Sequence, residues 1–279
     1  MAKNSFQNIV VAVDFSKYSK VVAKQARELA AELEIPLTFV HIINNTALVA
    51  GEIYTELKNS FFAPLTQQIT SLYKLNKFSP LAKIMIGVGR PSDGILEAAN
   101  KLPSPLIVIG HRGHRNFMGR LFIGSTSEQL VRQSPYPVWV HRGNSVKVPQ
   151  RILLPCDFSE RTNASFDLAK SINKASKTQY EFFYVVQRPL PFLDMAQWKI
   201  LMENLDEKEA IFENRFHQQH PHIPLVKKTG EPALLIARES RNFDLITMAP
   251  HSREGFFSGL GSVTTKVLRQ GNTPVLVTH

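Results

Sequence analysis

Short apolar runs alternate along this chain with longer stretches in which apolar residues return every three or four positions. Ile9–Val13, Leu37–Ile43, Ile84–Val88, Leu106–Ile109 and Val138–Val140 are runs of the first kind. They are dominated by Val, Ile and Leu and do not alternate with polar residues, which is the pattern of strands buried on both faces of a parallel sheet. Between the first two, Val22, Ala26, Leu29 and Leu33 recur at helical spacing while Lys24, Arg27 and Glu28 face elsewhere, so an amphipathic helix is expected there. The order then repeats, with strands expected at Ile152–Leu154, Tyr180–Val186, Leu225–Lys228, Leu245–Met248 and Val275–Val277. A long helical stretch separates the second and third strands of each copy; in the second copy it is Asp194–Gln218, rich in Glu and Lys. Strands alternating with helices give an α/β fold: two tandem doubly wound domains, each a five-stranded parallel sheet with helices on both faces.

The duplication is also written residue by residue. NIVVAVDFS, ending in Asp14-Phe15-Ser16, answers to QRILLPCDFS, ending in Asp157-Phe158-Ser159. Gly89 and Pro91 of GVGRPSDGIL answer to Gly230 and Pro232 of KTGEPALLI, and PVWVH at Pro137–His141 to PVLVT at Pro274–Thr278. The separation shortens slightly along the chain, as expected of duplicates that have drifted by small deletions. The boundary falls near Gly143 to Val148, giving domains at 1–143 and 149–279. The halves are expected to form an internal pseudo-dimer of two separate sheets, with Val138–Val140 and Val275–Val277 at the interface, because their apolar edges would otherwise be exposed. The arrangement also leaves room for a homodimer of whole chains.

Composition narrows the function classes. No apolar run approaches the roughly 18 residues of a membrane span, and Met1 to Asn8 is polar, so a soluble cytoplasmic protein is expected. The single cysteine, Cys156, excludes an intramolecular disulfide and a cysteine-based zinc site; closing an apolar strand, it reads as a small buried hydrophobe before a reactive thiol. A net charge of +10 attracts polyanions, yet no zinc finger, aromatic–basic signature or lysine/arginine block accompanies it, and nucleic acid is not an expected partner. His41 and His141 read as packing or strand-end residues, and no metal site is expected.

The candidate chemistry sits where ligands bind open parallel sheets, beyond the carboxyl ends of the strands at the reversal of strand order. Asp14 ends the first strand; its carboxylate suits an adenine amino group or ribose hydroxyls, and equally the turn that starts the helix, with Ser16 as N-cap. Gly110-His111-Arg112-Gly113 follows the fourth strand, and Gly124-Ser125-Thr126 opens the last helix of the copy. Glycines admit phosphates close to the backbone, and a helix start attracts anions. Arg112, Arg115 and Arg120 within the loop suit phosphate too. Ser125 followed by Glu128 before Leu130 and Val131 has the capping-box spacing.

Gly-x-x-Gly, a spacer of about nine residues, then Gly-Ser/Thr and a helix resembles the nucleotide-binding signature of the universal stress protein family. With Asp after the first strand, Gly-x-Pro after the third and Pro-x-Val at the end, the resemblance spans each copy. It implies that the loop holds ATP phosphates, that the strand-one Asp contacts adenine and ribose, and that a strand-two residue contacts adenine. By motif position these are Asp14, Ile42, Gly110, Gly113, Gly124, Ser125 and Thr126. The spacer in copy one is one residue longer than the family pattern. In copy two Ala249-Pro250-His251-Ser252 replaces the glycine pair, and Pro250 removes a backbone donor. Copy two is therefore expected to be the weaker binder, with Asp157 kept as a turn residue. The resemblance implies a stress-response factor that responds to ATP, regulatory and not enzymatic. Two other readings stand beside it. One is an interaction or small-molecule-binding module without nucleotide. The other, carried by His111-Arg112-Gly113-His114, is the His-x-Gly-His of nucleotidylyltransferases, which in those enzymes follows the first strand and here follows the fourth. Walker-type, Gly-x-Ser-x-Gly and His-Glu-x-x-His motifs are absent.

Overall fold

A computed structural model describes residues 6–44, 52–75, 82–111, 123–173, 178–187, 210–211, 213–249 and 261–278. In repeat one the strands are β1 (Asn8–Ala12), β2 (Leu37–Ile43), β3 (Lys83–Val88), β4 (Pro105–Gly110) and β5 (Val138–His141). In repeat two they are β6 (Arg151–Cys156), β7 (Gln179–Gln187), β8 (Leu225–Gly230), β9 (Leu245–Met248) and β10 (Val275–Val277). The helices are α1 (Lys17–Leu33), α2 (Glu52–Leu72), α3 (Pro91–Asn100) and α4 (Ser125–Gln133), then α5 (Glu160–Ser171), α6 (Pro232–Glu239) and α7 (Ser262–Gln270). Residues 213–219 are also helical; the earlier part of the expected Asp194–Gln218 stretch, up to residue 209, lies outside the described residues.

The strand order is β3-β2-β1-β4-β5-β10-β9-β6-β7-β8. Within each repeat all pairings are parallel, and the apolar runs behave as expected: β1 and β4 are buried almost throughout, while the outer strands β3 and β8 are half-exposed, β8 carrying Lys227 and Lys228 outward. Charge on an edge strand discourages pairing with another chain. Helices cover both faces. Val22, Ala26, Leu29 and Leu33 of α1 join Phe166 and Ala169 of α5 in the core on one face. Ile95 and Ala98 of α3, Leu130 and Val131 of α4, and Val267 and Leu268 of α7 fill the core on the other. Among the described residues no helix is long and apolar enough to cross a membrane.

The junction differs from the expectation of two separate sheets. β5 and β10 do meet at the interface, but they pair antiparallel, Val138 with Val277, Trp139 with Leu276 and Val140 with Val275, so the two five-stranded sheets become one of ten strands. Edge strands offering unpaired N–H and C=O groups satisfy them against each other. Since Val138–Val140 and Val275–Val277 are corresponding segments, the pairing is isologous, the pattern that a two-fold axis produces. Side chains also tie the halves together. Arg142, buried, donates from Nη1 to Gly271 O at 2.6 Å, just past α7, where a helix presents unpaired carbonyls and its negative end. Arg269 meets Glu128 at 2.8 Å across the junction, and Gln25 exchanges two hydrogen bonds with the Lys147 backbone.

The Gly-x-Pro segments act at matching places. Gly89 takes φ +134°, a conformation largely restricted to glycine, and Pro91 starts α3 with its fixed φ and no N–H to waste; Gly230 and Pro232 do the same before α6. Gly89→Ala is expected to destabilise the protein by about 1–3 kcal/mol, read as a lower urea midpoint at unchanged slope.

Candidate functional site

The order within each repeat reverses at the first strand, which has the second and fourth strands as neighbours, so a crevice opens beyond β1 and β4 in repeat one and beyond β6 and β9 in repeat two. Asp14 stands at the mouth of the first. Its backbone N–H donates to Ser19 Oγ at 3.2 Å, and its Oδ1 accepts the Ser16 N–H at 3.1 Å. Phe15 between them adopts φ +63°. Ser16 is the N-cap of α1, its hydroxyl accepting the Ser19 N–H at 3.0 Å, as its place before the apolar periodicity indicates. The His41 ring packs on Phe15 with centroids 4.5 Å apart and bonds Val13 O through Nδ1 at 2.8 Å; burial lowers its pKa.

Gly110 ends β4 on the other side of the crevice. A Cβ there would meet Tyr18 Cε1 at 3.0 Å and Val22 Cγ2 at 3.1 Å, so the glycine lets Tyr18 lie against the strand. The first turn of α4 is roped to this strand end: Gly124 N–H donates to His111 O at 2.6 Å, and Ser127 Oγ to Gly110 O at 2.6 Å. Gly124 is the N-cap and makes no side-chain cap, with Ser125 and Thr126 in the first turn after it. The first intrahelical bond closes from Glu128 N–H to Gly124 O at 2.9 Å, so the N–H groups of Ser125, Thr126 and Ser127 precede the ladder and point out of the helix end. The capping box is not formed. Glycine occupies the cap position that the spacing assigned to Ser125, and the Glu128 carboxylate turns outward to Arg132 and Arg269.

Asp14, Gly110, Gly124, Ser125 and Thr126 thus share one crevice. Ile42 lies on β2 at the level of Asp14, since Ala12 pairs with Val40; its side chain fills the space left by Gly94 and Gly87, whose added Cβ would lie 2.6 and 2.9 Å from Ile42 Cδ1. Gly113, Arg112, His114, Arg115 and Arg120 lie outside the described residues, as do Pro250, His251 and Ser252 of repeat two. Sequence reading missed Tyr18. Its hydroxyl donates to His141 O at 3.0 Å and contacts His111 Nδ1 at 3.1 Å, and the His111 N–H reaches the same His141 carbonyl at 3.1 Å. Two of these contacts hang the crevice on His141 of β5, the junction strand, and the third ties Tyr18 to His111. An aromatic residue in the first turn after an Asp-Phe-Ser segment was the available signal.

The same turn is built in repeat two. Phe158 has φ +59°, Ser159 N–H donates to Asp157 Oδ1 at 3.1 Å, and Asp157 N–H donates to Thr162 Oγ1 at 3.3 Å. Here, however, Asp157 Oδ1 also accepts from Ser159 Oγ at 2.6 Å and from Thr162 Oγ1 at 3.0 Å. Cys156 beside it is pushed up to about 12 by burial, and so stays a protonated thiol at neutral pH. Among the described residues no group of three or more His, Cys, Asp or Glu is placed to hold a metal ion.

The sequence model of the universal stress protein family matches residues 5–142 and again residues 149–279. The chain belongs to the universal stress protein family. A universal stress protein of Mycobacterium tuberculosis is 27% identical over 292 residues, covering 96% of this chain and 96% of its own. Among solved structures, a putative universal stress protein from Pseudomonas aeruginosa aligns with a TM-score of 0.71 at 15% identity, covering 99% of this chain and 94% of that one. A universal stress protein from Archaeoglobus fulgidus aligns with a TM-score of 0.66 at 18% identity, covering 98% of each. Like the tandem relative, this universal stress protein carries two family domains in one chain.

Proposed function

We propose that this universal stress protein is a nucleotide-responsive regulatory protein of the cytoplasm that binds ATP in the crevice of its first domain, residues 1–143. One observation carries the reading: the strand-order reversal gathers a carboxylate, Asp14, a side-chain-free strand end, Gly110, and the open first turn of α4 at one mouth. The carboxylate accepts hydrogen bonds from the adenine amino group or the ribose hydroxyls, and the N–H groups of Ser125, Thr126 and Ser127 face the phosphates with the positive end of the helix behind them. Gly113 completes the loop by motif position, and Ile42 lies one strand away as an apolar contact for the base. The second domain, residues 149–279, is the structural half, because Asp157 Oδ1 already accepts three hydrogen bonds from its own turn. Holding phosphates is not hydrolysing them: that requires an oriented water and charge stabilisation in the transition state. His111, the ring nearest the loop among the described residues, is buried and directs Nδ1 to Tyr18 and His141 O. The site therefore serves binding and not turnover.

Isothermal titration with ATP tests this. One site per chain is expected, and Asp14→Asn should weaken it about 10- to 100-fold, the worth of a hydrogen bond to a charged group. The amide keeps an oxygen for the Ser16 N–H, so the turn survives the change. Asp157→Asn should leave binding unaltered. Two equivalent sites, or loss on Asp157→Asn with Asp14→Asn silent, would refute the assignment.

A further inference from the structure

Arg142 follows β5 directly and is buried at the repeat junction, only 3% exposed. Its Nη1 donates to Gly271 O at 2.6 Å, while Nε and Nη2, both buried, have no hydrogen-bond partner among the described residues. Those two nitrogens share one edge of the planar guanidinium. They form the fork that meets a carboxylate or phosphate with two parallel hydrogen bonds. Arg142 is thus anchored by the nitrogen outside the fork, and no described residue meets the fork itself. The charge is as unmatched as the donors. Burial lowers the pKa to about 10, so the group stays a cation at neutral pH, and the ionisable group acting on it is Tyr18, not a carboxylate. Between Pro105 and Cys156 the chain holds one acidic residue, Glu128, which pairs with Arg132 and Arg269. Between Ser262 and His279 it holds none. Buried charges are ordinarily paired, because desolvation without a counter-charge is costly.

We infer that Arg142 is the core of an oxyanion site at the repeat junction, binding a phosphate group along its Nε–Nη2 edge. The surroundings give room for one. Gly143, the next residue, is exposed with φ +71°, and a Cβ there would meet, among the described residues, only Asn272 O at 4.0 Å. Asn144 and Asn272 are exposed as well, so solvent reaches the chain on both sides of the guanidinium. The site also adjoins the crevice of repeat one. Gly110 pairs with His141, the His141 carbonyl receives the His111 N–H, and Arg142 is the next residue along. A phosphate on the fork has two sources: a free phosphate ion entering beside Gly143, or the phosphate chain of a nucleotide held in that crevice. Both satisfy the same donors. In repeat two the matching position is His279, which has no such fork, so one site per chain is expected.

The test compares urea midpoints of the full chain in inorganic phosphate and in chloride of equal ionic strength. Phosphate is expected to raise the wild-type midpoint with saturation, as a ligand of the folded state does. Arg142→Lys keeps a cation that reaches for Gly271 O but has no fork, and is expected to lose about tenfold or more in phosphate affinity. An equal rise in both proteins reflects only the exclusion of phosphate from protein surfaces, and would overturn the inference. Phosphorus NMR needs no variant: the inorganic phosphate line should shift with saturation at one site per chain. Titrations with ATP and AMP separate the sources. If a nucleotide reaches the fork, Arg142→Lys weakens ATP about tenfold and leaves AMP unchanged, and free phosphate competes with ATP. If free phosphate is the ligand, it stabilises the wild-type chain alone and ATP affinity is the same in both proteins. A chain in which neither the phosphate line nor ATP affinity distinguishes wild type from Arg142→Lys would refute the site. The phosphate arm holds whether or not the chain binds nucleotide, so this inference and the ATP reading fail separately.

Discussion

Between pH 6.5 and pH 4 the protein is expected to lose about 3 kcal/mol of stability through His141 alone. His141 ends β5 at the repeat junction, fully buried, its ring stacked 6.3 Å from Tyr18, and neither ring nitrogen has a hydrogen-bond partner among the described residues. Burial lowers its pKa to about 4. In the unfolded chain it titrates near 6.5, so between these values the unfolded state binds a proton that the folded state refuses. The contribution is complete above pH 6.5, falls as the pH drops through the window, and is spent below pH 4. His41, also held neutral by burial, acts in the same direction. Urea midpoints measured from pH 7 to pH 4 should therefore slope steeply, and His141→Phe, which keeps a ring at the site, should flatten the slope. An unchanged slope in that variant would mean that other groups carry the acid sensitivity. Because His141 O anchors both Tyr18 and His111, protonation of His141 loosens the crevice of repeat one as well as the junction, and on the proposed function ATP affinity should fall over the same window.

Much of this arrangement was legible in the sequence because it is local. Short continuous apolar runs bounded by turns are the pattern of strands in a parallel sheet, and the paired Asp-Phe-Ser and Gly-x-Pro segments mark the same two turns in each half. Phe15 and Phe158 have nearly the same positive φ because the same short segment solves the same problem, starting a helix directly from a strand. What the sequence hid depends on distant parts of the chain. Nothing in the β5 residues says that their free edge will meet β10 antiparallel and close a single sheet. Either outcome buries the same Val and Trp side chains. The capping-box reading failed for a related reason: Ser125 and Glu128 have the right spacing, but Gly124 takes the cap position and the Glu128 carboxylate pairs with Arg269 from the other repeat. The hydrogen bond from Tyr73 to Ser19 joins residues 54 apart in the chain, which no local pattern announces.

The continuity of the sheet makes Trp139 a residue on which both halves depend. It is the largest fully buried side chain among the described residues, it pairs with Leu276 at the centre of the antiparallel junction, and it belongs to a core that runs from Ile9 and Val22 in repeat one to Leu154 and Phe166 in repeat two. Trp139→Ala should cost about 3–5 kcal/mol, combining lost burial with the cavity left among strands too constrained to collapse into it. The indole N–H has no acceptor among the described residues, so Trp139→Phe removes a buried donor as well as volume and should cost under about 1.5 kcal/mol. The form of the transition matters as much as its midpoint. If the junction is a shared core, Trp139→Ala lowers the stability of both repeats at once, and fluorescence of the remaining Trp198 and far-ultraviolet circular dichroism shift to lower urea together. Two separated transitions, one left at the wild-type midpoint, would show that the repeats fold as independent sheets which merely touch at β5 and β10.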